Sequence, residues 1–319
     1  MGGNAIKNTR RVPLSEYEEI KRTLINKLTE FGYAYVLDIP HIGEKKDFGD
    51  LDLLLPKPKL NDLSKYLSNY LNSKEVKING DIISFEYRNF QVDLIHVSEE
   101  NIKLHQIYFS YNDLGMLMGV LAKRIRCKYG GDGLYYRWYS KNLEKRRDIL
   151  LSKDPKIIFE VLGLSFSRFK KGFSTFREMF EFVRTSPLFD TQSFVSQENW
   201  NHRRRTRNNK RKTWHDFVEY CRTNTLIENL KPYNCIDYIS RFFDIDLYGQ
   251  IKKIEEEEQR KNLIKRKFNG NLVNEITGLQ GKELGYFINS FKNSKKDFEN
   301  WVITSSDYNI RKEIINFYF

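Results

Sequence analysis

The sequence lacks the motifs of several familiar protein classes. It contains three cysteines, Cys127, Cys221 and Cys235, and none lies in a CxxC pattern or at a metal-ligand spacing from histidine. This spacing indicates neither a zinc site nor a disulfide framework, so we expect reduced thiols. The five histidines form no HxxxH or HExxH pattern, and there is no Walker-type glycine loop. These absences argue against hydrolase and kinase chemistry.

Targeting signals and long apolar runs are also missing. The opening "MGGNAIKNTRR" has no apolar core of a signal peptide, and no later run approaches the roughly 18 apolar residues of a membrane span. Met1 and Gly2 begin like an acylation signal, but Ile6 stands where that motif has serine or threonine. We therefore predict a cytoplasmic protein with no membrane partner. A nuclear or viral context and the oligomeric state stay open.

The chain does contain the residues for a hydrophobic core, and it carries a surplus of positive charge. Hydrophobic residues make up 40% of it, with 23 Phe and 19 Tyr, which argues against a disordered chain. The 54 Lys and Arg exceed the 42 Asp and Glu, which leaves a net charge of +12. Such a surplus favours a polyanionic partner, usually nucleic acid, although solubility alone is the simpler explanation.

The pattern of the first half predicts a mixed sheet with helices packed against it. "EYEEIKRTLINKLTEFG" has apolar residues at helical spacing and a capping-box pattern at Ser15 and Glu18. The runs "YAYVLDI" and "DLDLLLP" are predicted strands, "LNDLSKYLSNYLN" a helix, and "DIISFEY" and "FQVDLIHV" a hairpin that turns at "RN". From about residue 111 the patterns are mainly helical. We expect an α+β region over 1–165 and a helical, basic domain over 166–319.

Two aspartates interrupt a strand pattern that otherwise predicts burial. Asp50 and Asp52 alternate with leucines, so both side chains are predicted on one face, roughly 7 Å apart at Cα. Asp93 lies in "FQVDLIHV", a strand that can pair alongside. Three converging carboxylates repel one another unless cations lie between them, and hard oxygen ligands suit Mg²⁺ or Mn²⁺. Two such ions serve phosphoryl transfer, whereas the simpler alternative is aspartates on a solvated sheet face.

The order of these residues resembles a known superfamily. A glycine-containing loop, Asp-x-Asp in a strand and a third acid in a neighbouring strand are the signature of the nucleotidyltransferase superfamily of DNA polymerase beta. The first half of the chain is most similar to the family X DNA polymerases. The resemblance implies an α+β palm followed by a mainly helical C-terminal domain. It also implies that Asp50, Asp52 and Asp93 bind two Mg²⁺ or Mn²⁺ ions, that Asp93 helps to deprotonate a primer hydroxyl, and that the substrate is an NTP or dNTP.

The same resemblance implies a nucleotide site. Tyr108 and Phe109 match an aromatic pair that crowds the nucleotide sugar in that family, and a turn follows them. The nucleotide-binding residues implied are Gly43, Lys45, Lys46, Gly49, Tyr108, Phe109, Asn112 and Asp113. The chain departs from the family where Glu44 follows the loop glycine and where Gly115 and Gly119 replace an asparagine and an arginine. These departures leave template-directed fidelity open.

The second half carries a cluster of basic residues in "NHRRRTRNNKRK". Clustered Lys and Arg gain affinity for nucleic acid by releasing counterions, although a solvated loop is the simpler interpretation. The predicted nucleic-acid-binding residues are Arg203, Arg204, Arg205, Arg207, Lys210, Arg211 and Lys212. Trp200 and Trp214 lie nearby and are expected in the core or as caps. The segment "ITGLQGKELGYFINSF" is loosely similar to tail segments of poly(A) polymerases and CCA-adding enzymes.

These observations lead to one expected function and two alternatives. We expect a metal-dependent nucleotidyltransferase that adds nucleoside monophosphates from an NTP or dNTP to a nucleic-acid 3′-hydroxyl and releases pyrophosphate. The first alternative is a nucleotidyltransferase that modifies a protein or a small molecule. The second is a nucleic-acid-binding protein without catalysis. The choice between DNA and RNA, the preferred base and the biological pathway stay open.

Overall fold

The computed structural model describes residues 5–141, 143–196, 202–224 and 234–319, without the side chains of residues 203, 204, 207 and 224. The chain divides into two compact units, Met1–Arg137 with Asp148–Phe243 and Trp138–Arg147 with Asp244–Phe319. Among the described residues, no helix combines the length and the apolar character that crossing a membrane requires.

The strands of the described residues are two to eight residues long. They are β1 Val12–Pro13, β2 Leu37–Asp38, β3 Asp47–Phe48, β4 Asp50–Pro56, β5 Val76–Asn79, β6 Ile82–Tyr87, β7 Phe90–Val97, β8 Cys127–Gly130, β9 Gly133–Ser140 and β10 Lys145–Ser152.

Helices separate the strands and then dominate the chain. Those of the described residues are α1 Leu14–Phe31, α2 Leu63–Asn69, α3 Ile102–Phe109, α4 Leu114–Arg124, α5 Pro155–Val161, α6 Phe166–Lys170, α7 Phe176–Arg184, α8 Thr191–Val195, α9 His202–Asn209, α10 Lys212–Asn224, α11 Cys235–Phe243, α12 Leu247–Lys267, α13 Gly270–Thr277, α14 Gly281–Asn293, α15 Phe298–Thr304 and α16 Asp307–Tyr318.

The central sheet of the first unit is mixed, as the sequence predicts. Within the described ranges it has five strands in the order β2-β4-β7-β6-β5. β4 and β7 pair in parallel, and the other neighbours are antiparallel. The side chains of Leu51, Leu53 and Leu55 on β4 are fully buried against Leu24 and Leu28 of α1 and the rest of that core. The predicted α+β fold, with a mainly helical C-terminal region, is confirmed.

The start of α1 corrects the predicted capping box. Its N-cap is Pro13, and within the described residues no side-chain hydrogen bond caps the helix. The backbone N–H of Leu14 instead donates to the carbonyl of Lys46, 3.1 Å away, so a tertiary contact satisfies the first free amide. Glu18 forms an ion pair with Lys21, at 2.7 Å.

The predicted hairpin is confirmed, and two predicted elements are shorter than expected. Arg88 and Asn89 both have left-handed φ angles, 54° and 61°, which a two-residue type I′ turn between β6 and β7 requires. The run "YAYVLDI" forms a strand over Leu37–Asp38, and "LNDLSKYLSNYLN" forms a helix over Leu63–Asn69. The strand within "YAYVLDI" is short because only Leu37 and Asp38 pair with β4.

The helical prediction was wrong between residues 127 and 152. The described residues there form a three-stranded sheet in the order β10-β9-β8, which follows α4 directly. Tyr and Trp in "LYYRWYS" favour strand, and "GGDG" is a turn signal, with Gly133 at φ 140°. The helical periodicity of the preceding α4 concealed these signals.

Helices also contribute to the hydrophobic cores of the two units. Among the described residues, α5, α6, α7 and α8 begin at the side-chain N-caps Asp154, Ser165, Thr175 and Asp190. The second unit has its own core, in which Phe268, Val273, Phe291, Val302, Ile310 and Ile314 are buried. Residue 165, the predicted boundary, lies inside the first unit. The division into catalytic and nucleic-acid-binding domains stays a prediction.

Candidate metal centre

Strand register brings the three predicted carboxylates together. Asp52 on β4 lies directly opposite Asp93 on β7, and Asp50 lies opposite Gln91. One oxygen from each of Asp50, Asp52 and Asp93 lies within 4.8 Å of the others, and all three residues are partly buried. The register is well determined because a slip of one residue would expose the buried leucines of β4 and bury its aspartates.

Burial and mutual repulsion weaken the acidity of this group. Burial, followed by the charges of Asp50 and Asp93, raises the pKa of Asp52 to about 8. Burial also raises the pKa of Asp93. Hydrogen bonds with Ser84 and Gln91 act in the opposite direction and lower this pKa. Asp52 and Asp93 therefore resist ionisation unless positive charge lies beside them. A set of carboxylate oxygens under such repulsion fits a hard divalent cation.

Lys45 supplies positive charge beside the acids. Its side chain is partly buried, with Nζ 4.5 Å from the centre of the Phe48 ring. Burial lowers the pKa of Lys45, while the charges of Asp50 and Asp52 act in the opposite direction. Lys45 in turn acts to lower the pKa of Asp52. The contact of Lys45 with a nucleotide phosphate stays a prediction.

The loop before β3 is held by backbone contacts rather than open to a ligand. The N–H of Gly43 donates to the carbonyl of Phe173 at 2.9 Å, and that of Glu44 donates to the carbonyl of Ser174 at 2.7 Å. A Cβ on Gly43 would lie 3.2 Å from the backbone of Ser174, which explains the glycine. The Gly43 amide therefore already has a backbone partner in this arrangement, and its contact with a phosphate stays a prediction.

Glu44, which departs from the family pattern, has a structural contact of its own. Its carboxylate accepts a hydrogen bond from the backbone N–H of Phe176, 2.6 Å away, at the start of α7. A carboxylate at a helix N-terminus is favourable because it satisfies a free amide and faces the positive end of the helix. Of the other predicted loop residues, Lys46 is exposed and Gly49 connects β3 to β4.

A turn follows α3 at the residues that the resemblance implies as nucleotide contacts, and their role stays a prediction. Tyr111 and Asn112 have left-handed φ angles of 56° and 61°, and the Tyr111 N–H donates to the carbonyl of Pro40 at 2.8 Å. The aromatic pair before the turn is packed inside the unit. The ring of Tyr108 makes edge contacts with Phe109 and Tyr129, at 5.5 and 5.3 Å, and Phe109 packs against the core below β4.

The basic cluster divides into residues of different environments. Arg205, Lys210 and Lys212 are exposed. Arg211 is partly buried and forms an ion pair with Asp113. The sequence predicts that Arg211 binds nucleic acid and that Asp113 binds the nucleotide, and in the structure the two side chains contact each other. The side chains of Arg203, Arg204 and Arg207 lie outside the described residues, as does Trp200. Trp214 is a core residue, 1% exposed.

Two residues beside the acids were missed by the sequence reasoning. Ser84 lies opposite Asp93 on β6, and Gln91 lies two residues before Asp93 on the same face of β7. Both form side-chain hydrogen bonds with the Asp93 carboxylate. Side chains two residues apart on a strand share a face, so the place of Gln91 two residues before Asp93 could have identified it from the sequence.

Comparisons with known proteins found similarity among solved structures alone. No family model matches the chain, and no curated protein does. Polymerase beta of Leishmania infantum in a ternary P/T complex is 14% identical, with a TM-score of 0.37, over 50% of this chain and 75% of that one. The same protein in a ternary gap complex is 15% identical, with a TM-score of 0.38, over 49% and 69%. Since these TM-scores are below 0.5, no argument about function rests on the likeness, and the tail similarity to poly(A) polymerases stays a prediction.

Proposed function

We propose that the chain is a metal-dependent nucleotidyltransferase that transfers a nucleoside monophosphate from an NTP or dNTP to a nucleic-acid 3′-hydroxyl. The observation that carries the proposal is the convergence of Asp50, Asp52 and Asp93 on one sheet face, with their oxygens within 4.8 Å. The raised pKa of Asp52, caused by burial and by its acidic neighbours, supports a site built around cations. Polymerases that transfer nucleotides use paired carboxylates on a sheet in this way.

The residues of the site take distinct roles in this proposal. Asp50 and Asp52 would hold both metal ions, and Asp93 would complete one of the two sites. When bound, Mg²⁺ or Mn²⁺ would lower the pKa of the attacking hydroxyl and neutralise the triphosphate. Lys45 would add a positive charge beside the phosphates, since its ammonium already faces the acids.

The acceptor is proposed to be nucleic acid on the basis of charge. The chain carries a net charge of +12, and Arg205, Lys210 and Lys212 are exposed near α9 and α10. Clustered cations of this kind bind the phosphate backbone through counterion release.

Primer extension tests the proposal directly. End-labelled single-stranded and gapped DNA and RNA primers are incubated with each nucleotide and Mg²⁺ or Mn²⁺. We expect extension by the wild type, and a loss of at least 10³-fold in Asp50→Asn and Asp52→Asn, because each removes a metal ligand. Asp62→Asn is the matched control, since Asp62 is exposed and forms an ion pair with Lys65 away from the acids.

Two other outcomes would redirect the search. Nucleotide binding without extension of any primer would contradict a nucleic-acid acceptor and favour a protein or small-molecule acceptor. A calorimetric titration without any metal-dependent nucleotide binding would contradict the enzyme itself and favour the nucleic-acid-binding alternative.

A further inference from the structure

A chain of hydrogen bonds links the acid cluster to the N-terminal segment. The side-chain Nε2 of Gln91 donates to both carboxylate oxygens of Asp93, at 3.1 and 3.0 Å. Its Oε1 accepts from the backbone N–H groups of Ala5 and Ile6, at 2.9 and 3.1 Å. Gln91 is 2% exposed, so a single buried amide makes polar contacts on both sides.

The N-terminal segment that holds Gln91 is itself attached at several points. The carbonyl of Ala5 accepts from Lys77 Nζ at 2.6 Å, and the N–H of Lys7 donates to Glu75 at 3.1 Å. The N–H of Arg10 donates to the carbonyl of Asn89 at 2.8 Å, and the side chain of Ile6 is buried. The segment therefore runs along β5 and the β6–β7 turn as a fixed element beside the sheet.

We infer that Gln91 is a positioning residue for Asp93, and that the backbone of Ala5 and Ile6 fixes the side chain of Gln91. The inference rests on the proposed function, because it assigns Gln91 to the metal site formed by Asp50, Asp52 and Asp93. A glutamine suits the position because it donates to the carboxylate without adding a charge next to the acids. With both ends of the amide engaged, the Gln91 side chain has one orientation, and so has the carboxylate that it contacts.

Mn²⁺ binding measures this positioning without any need for turnover. Free Mn²⁺ is followed by electron paramagnetic resonance as the ion is titrated into the full chain. Gln91→Met keeps the volume but removes both the donor and the acceptor, and we expect its dissociation constant for Mn²⁺ to rise about 10-fold. Gln106→Met is the matched control, because Gln106 is a partly buried glutamine that donates to the carbonyl of Asp38 at 2.7 Å.

Ala5→Pro tests the N-terminal half of the inference and replaces Gln91→Met if that variant does not fold. Proline has no N–H, so this variant removes one of the two donors to Gln91 and leaves the sheet unchanged. We expect Mn²⁺ binding to weaken several-fold. Circular dichroism and thermal unfolding establish that each variant is folded before titration.

The outcomes separate this inference from the proposed function. Weaker binding in Gln91→Met and Ala5→Pro, with wild-type binding in Gln106→Met, supports it. Wild-type affinity in a folded Gln91→Met or Ala5→Pro overturns it and leaves the proposed function intact. If the wild type binds no Mn²⁺, or if Asp52→Asn binds as well as the wild type, the proposed metal site is wrong and the inference falls with it.

Discussion

At the scale of single residues, the acid cluster lowers the stability of the fold, because its carboxylates are partly buried close to one another. Asp52 shares one sheet face with two other carboxylates, and burial raises its pKa to about 8. The contacts of Ser84 and Gln91 with Asp93 offset part of this strain for one member of the group. A site of this kind is expected to be unstable when empty and to gain stability when a cation binds.

The pH dependence of stability follows from Asp52. Its pKa is near 3.9 in an unfolded chain and about 8 in the folded one, so the folded state holds a proton that the unfolded state has released between these values. The free energy of unfolding should therefore fall as pH rises from 5 to 8, by on the order of 1–3 kcal/mol. Urea unfolding of the metal-free protein at both pH values measures this change.

Asp52→Asn provides the control for that measurement. Because asparagine does not titrate, the variant should lose most of the decrease and should be more stable than the wild type at pH 8. An equal decrease in both proteins would show that Asp52 is not the group responsible.

Lys45 is predicted to act on the nucleotide rather than on the fold. Lys45→Met keeps the packing of the side chain against Phe48 and removes the charge beside Asp50 and Asp52. We expect the KM for the nucleotide to rise about 10-fold, with a smaller change in thermal stability. Steady-state kinetics measure this, with Lys65→Met as the matched control, because Lys65 is exposed and pairs with Asp62. A KM unchanged in Lys45→Met would contradict the role.

At the scale of elements, the loop before β3 depends on contacts with the segment between α6 and α7 and with the start of α7. The amides of Gly43 and Glu44 bond to the carbonyls of Phe173 and Ser174, and the Glu44 carboxylate caps α7. The loop is thus held in place by residues more than a hundred positions later in the sequence. The sequence motif alone predicts the presence of the loop but not these partners.

Two glycine substitutions should change stability in opposite directions. Gly43→Ala places a Cβ 3.2 Å from the Ser174 backbone and should cost about 1 kcal/mol. Gly119→Ala meets nothing within 4 Å inside α4 and should stabilise the protein by roughly 0.5–1 kcal/mol. Urea unfolding of both variants checks the signs. If Gly43→Ala is neutral, the loop is free to shift and the close contact does not matter.

At the scale of the whole molecule, the surplus of positive charge is partly committed to internal contacts. Arg211 forms an ion pair with Asp113 and is partly buried, whereas Arg205 and Lys210 are exposed. Removing one partner of a buried pair leaves the other without its counter-charge, and exposed cations carry no such cost. The basic residues therefore differ in what their loss should do.

Nucleic-acid binding separates the two groups of cations. Arg205→Met and Lys210→Met should weaken binding to single-stranded DNA or RNA and reduce the slope of log affinity against log salt by about one each, with unchanged stability. Arg211→Met should instead lower the free energy of unfolding, by about 1–3 kcal/mol, because Asp113 loses its partner. Fluorescence anisotropy across a salt series and urea unfolding measure these effects. An unchanged salt slope in both exposed variants would contradict a phosphate contact here.

The sequence by itself determined the mixed sheet, the hairpin that turns at Arg88 and Asn89, and the shared face of Asp50 and Asp52. These features follow from short-range rules, namely a period of two along strands and the preference of turns for left-handed φ. Local pattern did not predict the sheet over residues 127–152 correctly, because the helical period of α4 extends up to its first strand.

Only the tertiary structure decided how these elements meet. Four contacts join segments that are distant in sequence. Asp52 lies opposite Asp93, and the Gly43 amide bonds to Phe173. Arg211 pairs with Asp113, and Ala5 and Ile6 bond to Gln91. The physical reason is that buried polar groups must find partners wherever the packed core brings one within reach. A residue's own neighbours in sequence do not specify which distant group that will be.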